Sequence, residues 1–397
     1  MQSNQLAELA EAVGVDPTRL QDLFDYAQAE VDEGRLPSLQ VALGRHGRLA
    51  GMRSFGTAIQ GGERQPVTND TLYCIYSSTK AIVGVAIWAL IEDGKLELAE
   101  HVASIVPQFV GHDKDEITVE QVLLHIGGFP MAPMNPKLWE DREARLERMR
   151  GWRLNWEPGS RFEYHATSAH WVLAEIITER TGLDFRDYVR SRIVDPLGLT
   201  GLFVGLPDEL HARAADVELV AELQAPDGGW QEVNPETILH FNLPSQRRAG
   251  CPGGGAFATA GDMALFYQAL INASANQALR DSSPVAPGVQ ILKPETIAMA
   301  TQVRTDPDQH RDALNDIPVN RALTVVVAGD DGNAALRGFG DGTSPRAFGH
   351  GGAGGQITWG DPESGLSFGF VTNGYATDDV IRKRTRALST LAAACAR

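Results

Sequence analysis

Tyr76-Ser77-Ser78-Thr79-Lys80 stands immediately before the apolar run AIVGVAIWALIEDGKL. A serine in the first turn of a helix meets the positive end of the macrodipole and unpaired N–H groups, both of which favour a developing alkoxide and a later oxyanion. Residues three apart share one helix face, so Ser77 and Lys80 are placed to touch, and an amine beside that hydroxyl is a candidate proton acceptor. Only Ser77, not Ser78, has a lysine three residues on. The chemistry this pair points to is nucleophilic attack with a covalent acyl intermediate on Ser77. The same residues would also serve as ordinary helix caps with Lys80 in solvent, so the reading requires companions.

Two further segments supply them. Tyr164 lies in WEPGSRFEYHATSAHWVLAEI, where a turn precedes an amphipathic helix, and a loop tyrosine beside a lysine can take the serine proton and return it to a leaving group. Phe348-Gly349-His350-Gly351-Gly352-Ala353-Gly354-Gly355 runs straight into QITWG. Its glycines let backbone approach a ligand closely, so an N–H here would share an oxyanion hole with the N–H of Ser77.

Taken in this order and at these separations, SSTK, the tyrosine segment and FGHGGAGG resemble the penicillin-recognising serine hydrolases. Within that superfamily the chain most resembles the family VIII carboxylesterases, relatives of class C β-lactamases and D,D-peptidases. TVEQVLLHIGGFP and CPGGGAFATAGDMALFYQALI extend the likeness, which runs from about Leu36 to Thr372. The resemblance implies Ser77 as nucleophile, Lys80 as its activating partner and Tyr164 as general base and later acid. It also implies Ser77 and Ala353 backbone N–H groups as oxyanion donors, His350, Gly351 and Gly352 as substrate-binding positions, and a groove between two domains as the site; His165 is a further substrate-binding candidate, with a packing histidine as the alternative. No metal or cofactor belongs to that set.

Three departures bear on substrate. Tyr164-His165-Ala166 stands where β-lactamases and peptidases carry Tyr-x-Asn, so a side-chain amide is missing and His165 is the residue on hand to replace it. His350-Gly351-Gly352 replaces Lys-Thr-Gly, which removes a fixed cation worth about 1 to 4 kcal/mol to a carboxylate at about 4 Å. Arg346, four residues upstream, is the nearest candidate to restore it. Gly127 replaces a common serine in a segment whose His125 is read as structural. Neutral esters of short or medium acyl chains become the expected substrates, with β-lactamase, D,D-peptidase, amidase or acyltransferase activity as the alternatives and a ligand-binding relative without turnover behind them.

The elements that must position these groups are legible at both ends. Asp16-Pro17 opens a helix with Leu20, Leu23, Phe24, Ala27 and Val31 at helical spacing. SLQVALGRHGRLAGMRSFG reads as two strands about a His46-Gly47 turn. ALTVVVAG and QITWGDPESGLSFGFVTN are β-rich, the latter folded at Asp361–Gly365, and Thr377 is expected to cap a final helix. Strands at the ends and helical patterns between them predict an α/β + α, β-lactamase-like fold: a central antiparallel sheet built from both termini, flanked by helices, with a large mostly helical insertion. The expected partition is 1–77 with 300–397 for the sheet domain and 78–299 for the insertion, whose long irregular stretches are Gly201 to Pro252 and Ser274 to Gly288.

Composition excludes whole classes of partner. With 35 Lys plus Arg against 51 Asp plus Glu, the formal charge of −16 repels nucleic acid and anionic membrane surfaces. No stretch approaches eighteen uninterrupted apolar residues, and the start lacks a cationic segment followed by an apolar one. Cys74, Cys251 and Cys395 are widely spaced and read as reduced thiols. The expectation is a cytoplasmic enzyme acting on a small-molecule ester, with a homo-oligomer compatible with everything in the sequence.

Overall fold

The computed structural model describes residues 3–220, 238–274, 290–376 and 378–396. Seven strands form one antiparallel sheet: β1 (Ser38–Arg45), β2 (Arg48–Gln60), β3 (Glu63–Pro66), β4 (Val326–Val327), β5 (Phe348–Gly349), β6 (Ile357–Gly360) and β7 (Leu366–Thr372). Their order is β3-β2-β1-β7-β6-β5-β4. The two ends of the chain therefore meet at the middle of the sheet, where Leu39 faces Thr372, Val41 faces Phe370 and Leu43 faces Phe368.

Local chemistry explains the connections. His46 (φ 51°) and Gly47 (φ 77°) both take left-handed backbone, the geometry of the two-residue hairpin turn that suits twisted strands. In the second turn Asp361 accepts the N–H of Glu363 (3.0 Å) on its side chain and that of Gly365 (2.9 Å) on its carbonyl.

Six helices of ten or more residues are present among the described residues: α1 (Ser3–Ala12), α2 (Pro17–Asp32), α3 (Thr79–Glu92), α4 (Ser168–Thr181), α5 (Ala260–Ser274) and α6 (Asp378–Ala393). The Asp16 side chain caps α2 through Thr18 N (2.9 Å) and Arg19 N (3.2 Å). Leu20 and Phe24 of α2 and Leu388 of α6 join Val41, Leu43, Phe368 and Phe370 in one core, so the terminal helices cover one face of the sheet. Each such side chain contributes about 1.5–3 kcal/mol by leaving water. The opposite face is covered by α5, although that helix comes from within the stretch assigned to the insertion. Gly369 lets α5 lie close, since a Cβ there would collide with the Ala260 carbonyl.

Alternation sorts the sheet residues between the two layers. Ala42 and Val371 point to the second core, which continues through α3, α4 and α5 and holds Trp88, Trp171 and Phe266. The longer β reading of ALTVVVAG shrinks to the two residues of β4. The stretch from Gly201 to Pro252 is less irregular than expected: its described residues include a strand at Leu202–Val204, a 3-10 helix at Asp208–Arg213 and a helix at Pro244–Ala249, while 221–237, most of Ser274 to Gly288, and the Thr377 cap lie outside the described residues.

Candidate active site

A short strand, Tyr73–Cys74, pairs with Ala256–Ala258 and delivers the chain to a 3-10 turn over Tyr76–Ser78, which runs into α3. From Thr71 to Leu90 every residue is buried except Ser77. Tyr76 holds φ 44°, a left-handed conformation unusual for a bulky residue, and it turns the following serine out of the core. The other hydroxyls of the motif are structural: Ser78 Oγ donates to the His350 carbonyl (2.8 Å) and Thr79 Oγ1 accepts from Ala256 N (3.0 Å). Two of three adjacent hydroxyls thus tie a helix to a strand and a loop, leaving the third, on Ser77, half-buried.

Lys80 is fully buried. Its Nζ lies 3.3 Å from Ser77 Oγ, 2.7 Å from the Ala166 carbonyl and 2.5 Å from the Gly253 carbonyl, one acceptor for each ammonium hydrogen. Sequence reading missed both carbonyls. The signal for one of them was the CPGGG run: a Cβ on Gly253 would stand 2.9 Å from Ala166 O and 3.4 Å from Nζ, crowding the space the amine occupies.

Tyr164 brings its ring to 5.0 Å beneath Lys80 Nζ, with the Arg321 guanidinium 5.2 Å away over the same ring. Its hydroxyl is buried and, among the described residues, has no hydrogen-bond partner. The ring also lies against His125 (4.8 Å between centroids) and His350 (6.0 Å). The fold therefore brings serine and tyrosine to the same lysine, which touches the serine hydroxyl and lies over the tyrosine ring, while among the described residues the phenol oxygen is bonded to neither.

His165 does something other than expected. It is fully buried, its Nε2 accepts from Phe129 N (3.0 Å), and its Nδ1 lies 2.6 Å from the Glu163 carbonyl. Neither ring nitrogen is left for a substrate, so the expectation that His165 replaces the missing amide is corrected: it braces the loop that carries Tyr164. Its backbone N–H also donates to His125 Nδ1 (3.1 Å), which fixes the His125 tautomer with its proton on Nε2.

His350, Gly351 and Gly352 follow β5. A Cβ on Gly352 would collide with the Ile75 carbonyl, so glycine is what allows this segment to lie against the nucleophile turn. Ala353 follows in a turn closed by Gly352 N to Gln356 O (3.0 Å) and Gln356 N to Gly352 O (3.1 Å), and among the described residues its N–H has no acceptor.

His350 donates from Nδ1 to the Gly351 carbonyl (2.7 Å) and accepts at Nε2 from Arg321 Nη1 (3.2 Å). Burial, reinforced by the Arg321 and Lys80 charges, pushes this imidazole well below its ordinary value and keeps it neutral. Arg346 is solvent-exposed, with its backbone N–H on Ser344 Oγ (3.3 Å); the cation that reaches His350 is Arg321. No local pattern marks Arg321, which lies 29 residues upstream. It stacks over Phe162 (5.6 Å) and Tyr164 and, among the described residues, forms no ion pair; its guanidinium is pushed down by burial while Tyr164 and Asp312 act at longer range.

Four neutral histidines surround the site. Burial is the largest cause in each case, holding His125, His170 and His350 well below the usual value and His165 at about 4. The unfolded chain binds protons at these rings below about pH 6.5, whereas the folded protein does not, so the stability they contribute is present above that pH and lost as pH falls. Between pH 7 and pH 5 each ring is expected to cost roughly 2 kcal/mol. Denaturant midpoints measured at the two pH values check this, and an unchanged midpoint would mean that the rings are already protonated in the folded state. The thiols are likewise neutral: burial raises Cys74 to about 12, Cys251 to about 11 and Cys395 to about 12.

Several known proteins resemble the chain as a whole. The family model described as Beta-lactamase matches residues 23–392. A penicillin-binding protein homologue from Caulobacter crescentus is 26% identical, covers 96% of this chain and 99% of its own, and superposes with a TM-score of 0.78. A family VIII carboxylesterase superposes with a TM-score of 0.76 over 95% of this chain and 97% of its own; at 21% identity that is a likeness of fold. A protein of Escherichia coli K12, provisionally named a D-alanyl-D-alanine carboxypeptidase, is 25% identical over 91% of this chain and 84% of its own. Among the described residues no helix is long and apolar enough to cross a membrane.

Proposed function

This chain belongs to the Beta-lactamase family and is a serine hydrolase, and from that premise we propose that it cleaves carboxylic esters of short or medium acyl chains through an acyl-enzyme on Ser77. The observation that carries the reading is the half-buried Ser77 hydroxyl 3.3 Å from a buried lysine, with neutral histidines packed against the nearby Tyr164 ring.

In the first step Ser77 Oγ attacks the ester carbonyl carbon and gives up its proton. With all three Lys80 hydrogens engaged, the lysine acts as a donor that orients Oγ, and Tyr164 is the group free to receive the proton once its hydroxyl closes on the serine. Negative charge arising on the phenol oxygen lies near two cations, Lys80 and Arg321. The Ser77 and Ala353 N–H groups hold the carbonyl oxygen as it becomes an oxyanion. Collapse expels the alcohol, which takes the proton from Tyr164, and water repeats the sequence to release the acid. Substrate enters a groove between the sheet domain (1–77 and 300–397) and the helical part (78–299), and the buried, reduced thiols support a cytoplasmic setting.

A p-nitrophenyl acyl ester series set against a chromogenic cephalosporin tests the substrate class. Ester turnover is expected to exceed lactam turnover by a wide margin, and the opposite ranking would sink the ester reading.

A second reading is favoured by one observation, the Arg321 guanidinium bonded to His350 and free of any carboxylate in ion-pair range among the described residues. It supports a substrate bearing a carboxylate of its own, as an anionic ester or a peptide terminus would. Under it, Arg321→Met raises KM for an ester with a free carboxylate by about 10-fold or more, the worth of a charge-assisted hydrogen bond, and leaves KM for a neutral ester within about twofold, whatever the shared loss in kcat. Equal effects on both esters would remove the case for an anionic substrate.

A further inference from the structure

The turn that carries the Ala353 N–H is built to be mobile. Gly354 (φ 77°) and Gly355 (φ 94°) follow it in left-handed backbone, and a peptide between glycines rotates at little steric cost. An oxyanion donor is useful only if it already points at the place where charge will develop. Something outside the turn has to fix its peptide planes.

The C-terminal helix α6 supplies that brace. Arg384, only 2% exposed, donates from Nη2 to the Gly354 carbonyl (3.2 Å), and a Cβ on Gly355 would stand 3.0 Å from the same nitrogen. Its Nη1 lies 3.5 Å from Oε2 of Glu30, itself 2% exposed on α2, and Glu30 Oε1 accepts from Arg35 Nε (2.9 Å). On the other side of the turn the buried Gln356 amide joins Ala353 O (3.5 Å) to Thr372 O (2.9 Å). A guanidinium buried this deeply is costly to desolvate, and the Gly354 carbonyl and the Glu30 carboxylate are the groups that compensate it.

We propose that Arg384, anchored by Glu30, is a positioning residue for the reaction: it locks the Gly352–Gln356 turn so that the Ala353 N–H stays aimed at the acyl oxygen of the substrate. The inference rests on the reading of Ser77 as nucleophile and Ala353 N–H as oxyanion donor. It places a determinant of the chemical step on a helix that touches no substrate.

The test uses Arg384→Met, Arg384→Lys and Glu30→Gln in the full chain. For each, kcat and KM are measured on p-nitrophenyl butyrate, and every rate is divided by the fraction of protein that takes one phosphonate on Ser77 by intact mass. That normalisation removes misfolded protein from the comparison. Arg384→Met is expected to lower kcat per labelled site by about 30- to 100-fold with KM within about threefold, because an N–H donor lost from an oxyanion hole typically costs about 100- to 1000-fold. Arg384→Lys, which keeps an N–H for Gly354, recovers part of the loss, and Glu30→Gln lowers kcat by about 2- to 5-fold. Wild-type kcat per labelled site in Arg384→Met overturns the proposal; if that variant does not fold, wild-type kcat in both Arg384→Lys and Glu30→Gln overturns it. Failure of the wild-type protein to label at Ser77 is a different result, and it would overturn the acyl-enzyme reading itself.

Discussion

Alanine at position 77 is expected to lower ester turnover by about 10⁴-fold or more without disturbing the fold. Among the described residues Lys80 is the hydrogen-bond partner of the Ser77 side chain, and Ser77 is the single residue between Thr71 and Leu90 that is not buried. The nucleophile turn is held by its neighbours, through Ser78 to the His350 carbonyl and through Thr79 to Ala256. Ser78→Ala is accordingly the control: it loosens a buried contact between the turn that opens α3 and the segment that follows β5, and its effect appears in stability more than in chemistry. The measurement is kcat/KM on a p-nitrophenyl ester beside a thermal melt, and residual Ser77→Ala turnover within tenfold of wild type would show that another group makes the bond.

Phenylalanine at position 164 is expected to lower kcat by about 10²- to 10⁴-fold, the range for removal of a general acid–base group, while the melting temperature stays nearly unchanged. The second half of that statement follows from the structure, because among the described residues the Tyr164 hydroxyl has no partner whose hydrogen bond would be lost. Lys80→Ala contrasts with it. That change strips the Ala166 and Gly253 carbonyls of their donor, so activity and stability fall together, by about 1–3 kcal/mol for each buried carbonyl left unpaired. Losses at Ser77, Lys80 and Tyr164 will not add, since each disables one shared step. Normal kcat in Tyr164→Phe would move the proton-transfer role elsewhere.

The limits of sequence reading are clearest around the histidines. His165 follows the tyrosine and stands beside the place of a missing amide, so adjacency in the chain suggests a substrate contact. In space its ring turns inward to the Phe129 N–H and the Glu163 carbonyl. His350 announces the loss of a lysine, and from that residue alone the site looks without a fixed cation. Arg321 arrives from 29 positions away to bond its Nε2. Neither outcome has a local signal, because side-chain direction and through-space charge depend on which segments the topology brings together.

The elements followed local rules. Asp16-Pro17 opened a helix, His46-Gly47 made a hairpin, and SSTK introduced α3, because caps, left-handed turns and apolar periodicity act over four or five residues and need no distant partner. The antiparallel sheet assembled from both termini was also legible, since strand-rich ends around a helical middle leave few ways to bury both faces.

By itself, then, the sequence determined the elements, the sheet built from two ends, and the types of group available for acyl transfer. Tertiary structure alone decided that Ala166 and Gly253 carbonyls hold the lysine, that Arg321 rather than Arg346 meets His350, and that Arg384 and Glu30 stand behind the Gly352–Gln356 turn. The physical reason is range. Backbone preference and hydrophobic period are properties of a short stretch, whereas the direction of a carbonyl, the burial of a charge and the identity of its partner are set by residues tens to hundreds of positions apart, which become neighbours only when the cores close.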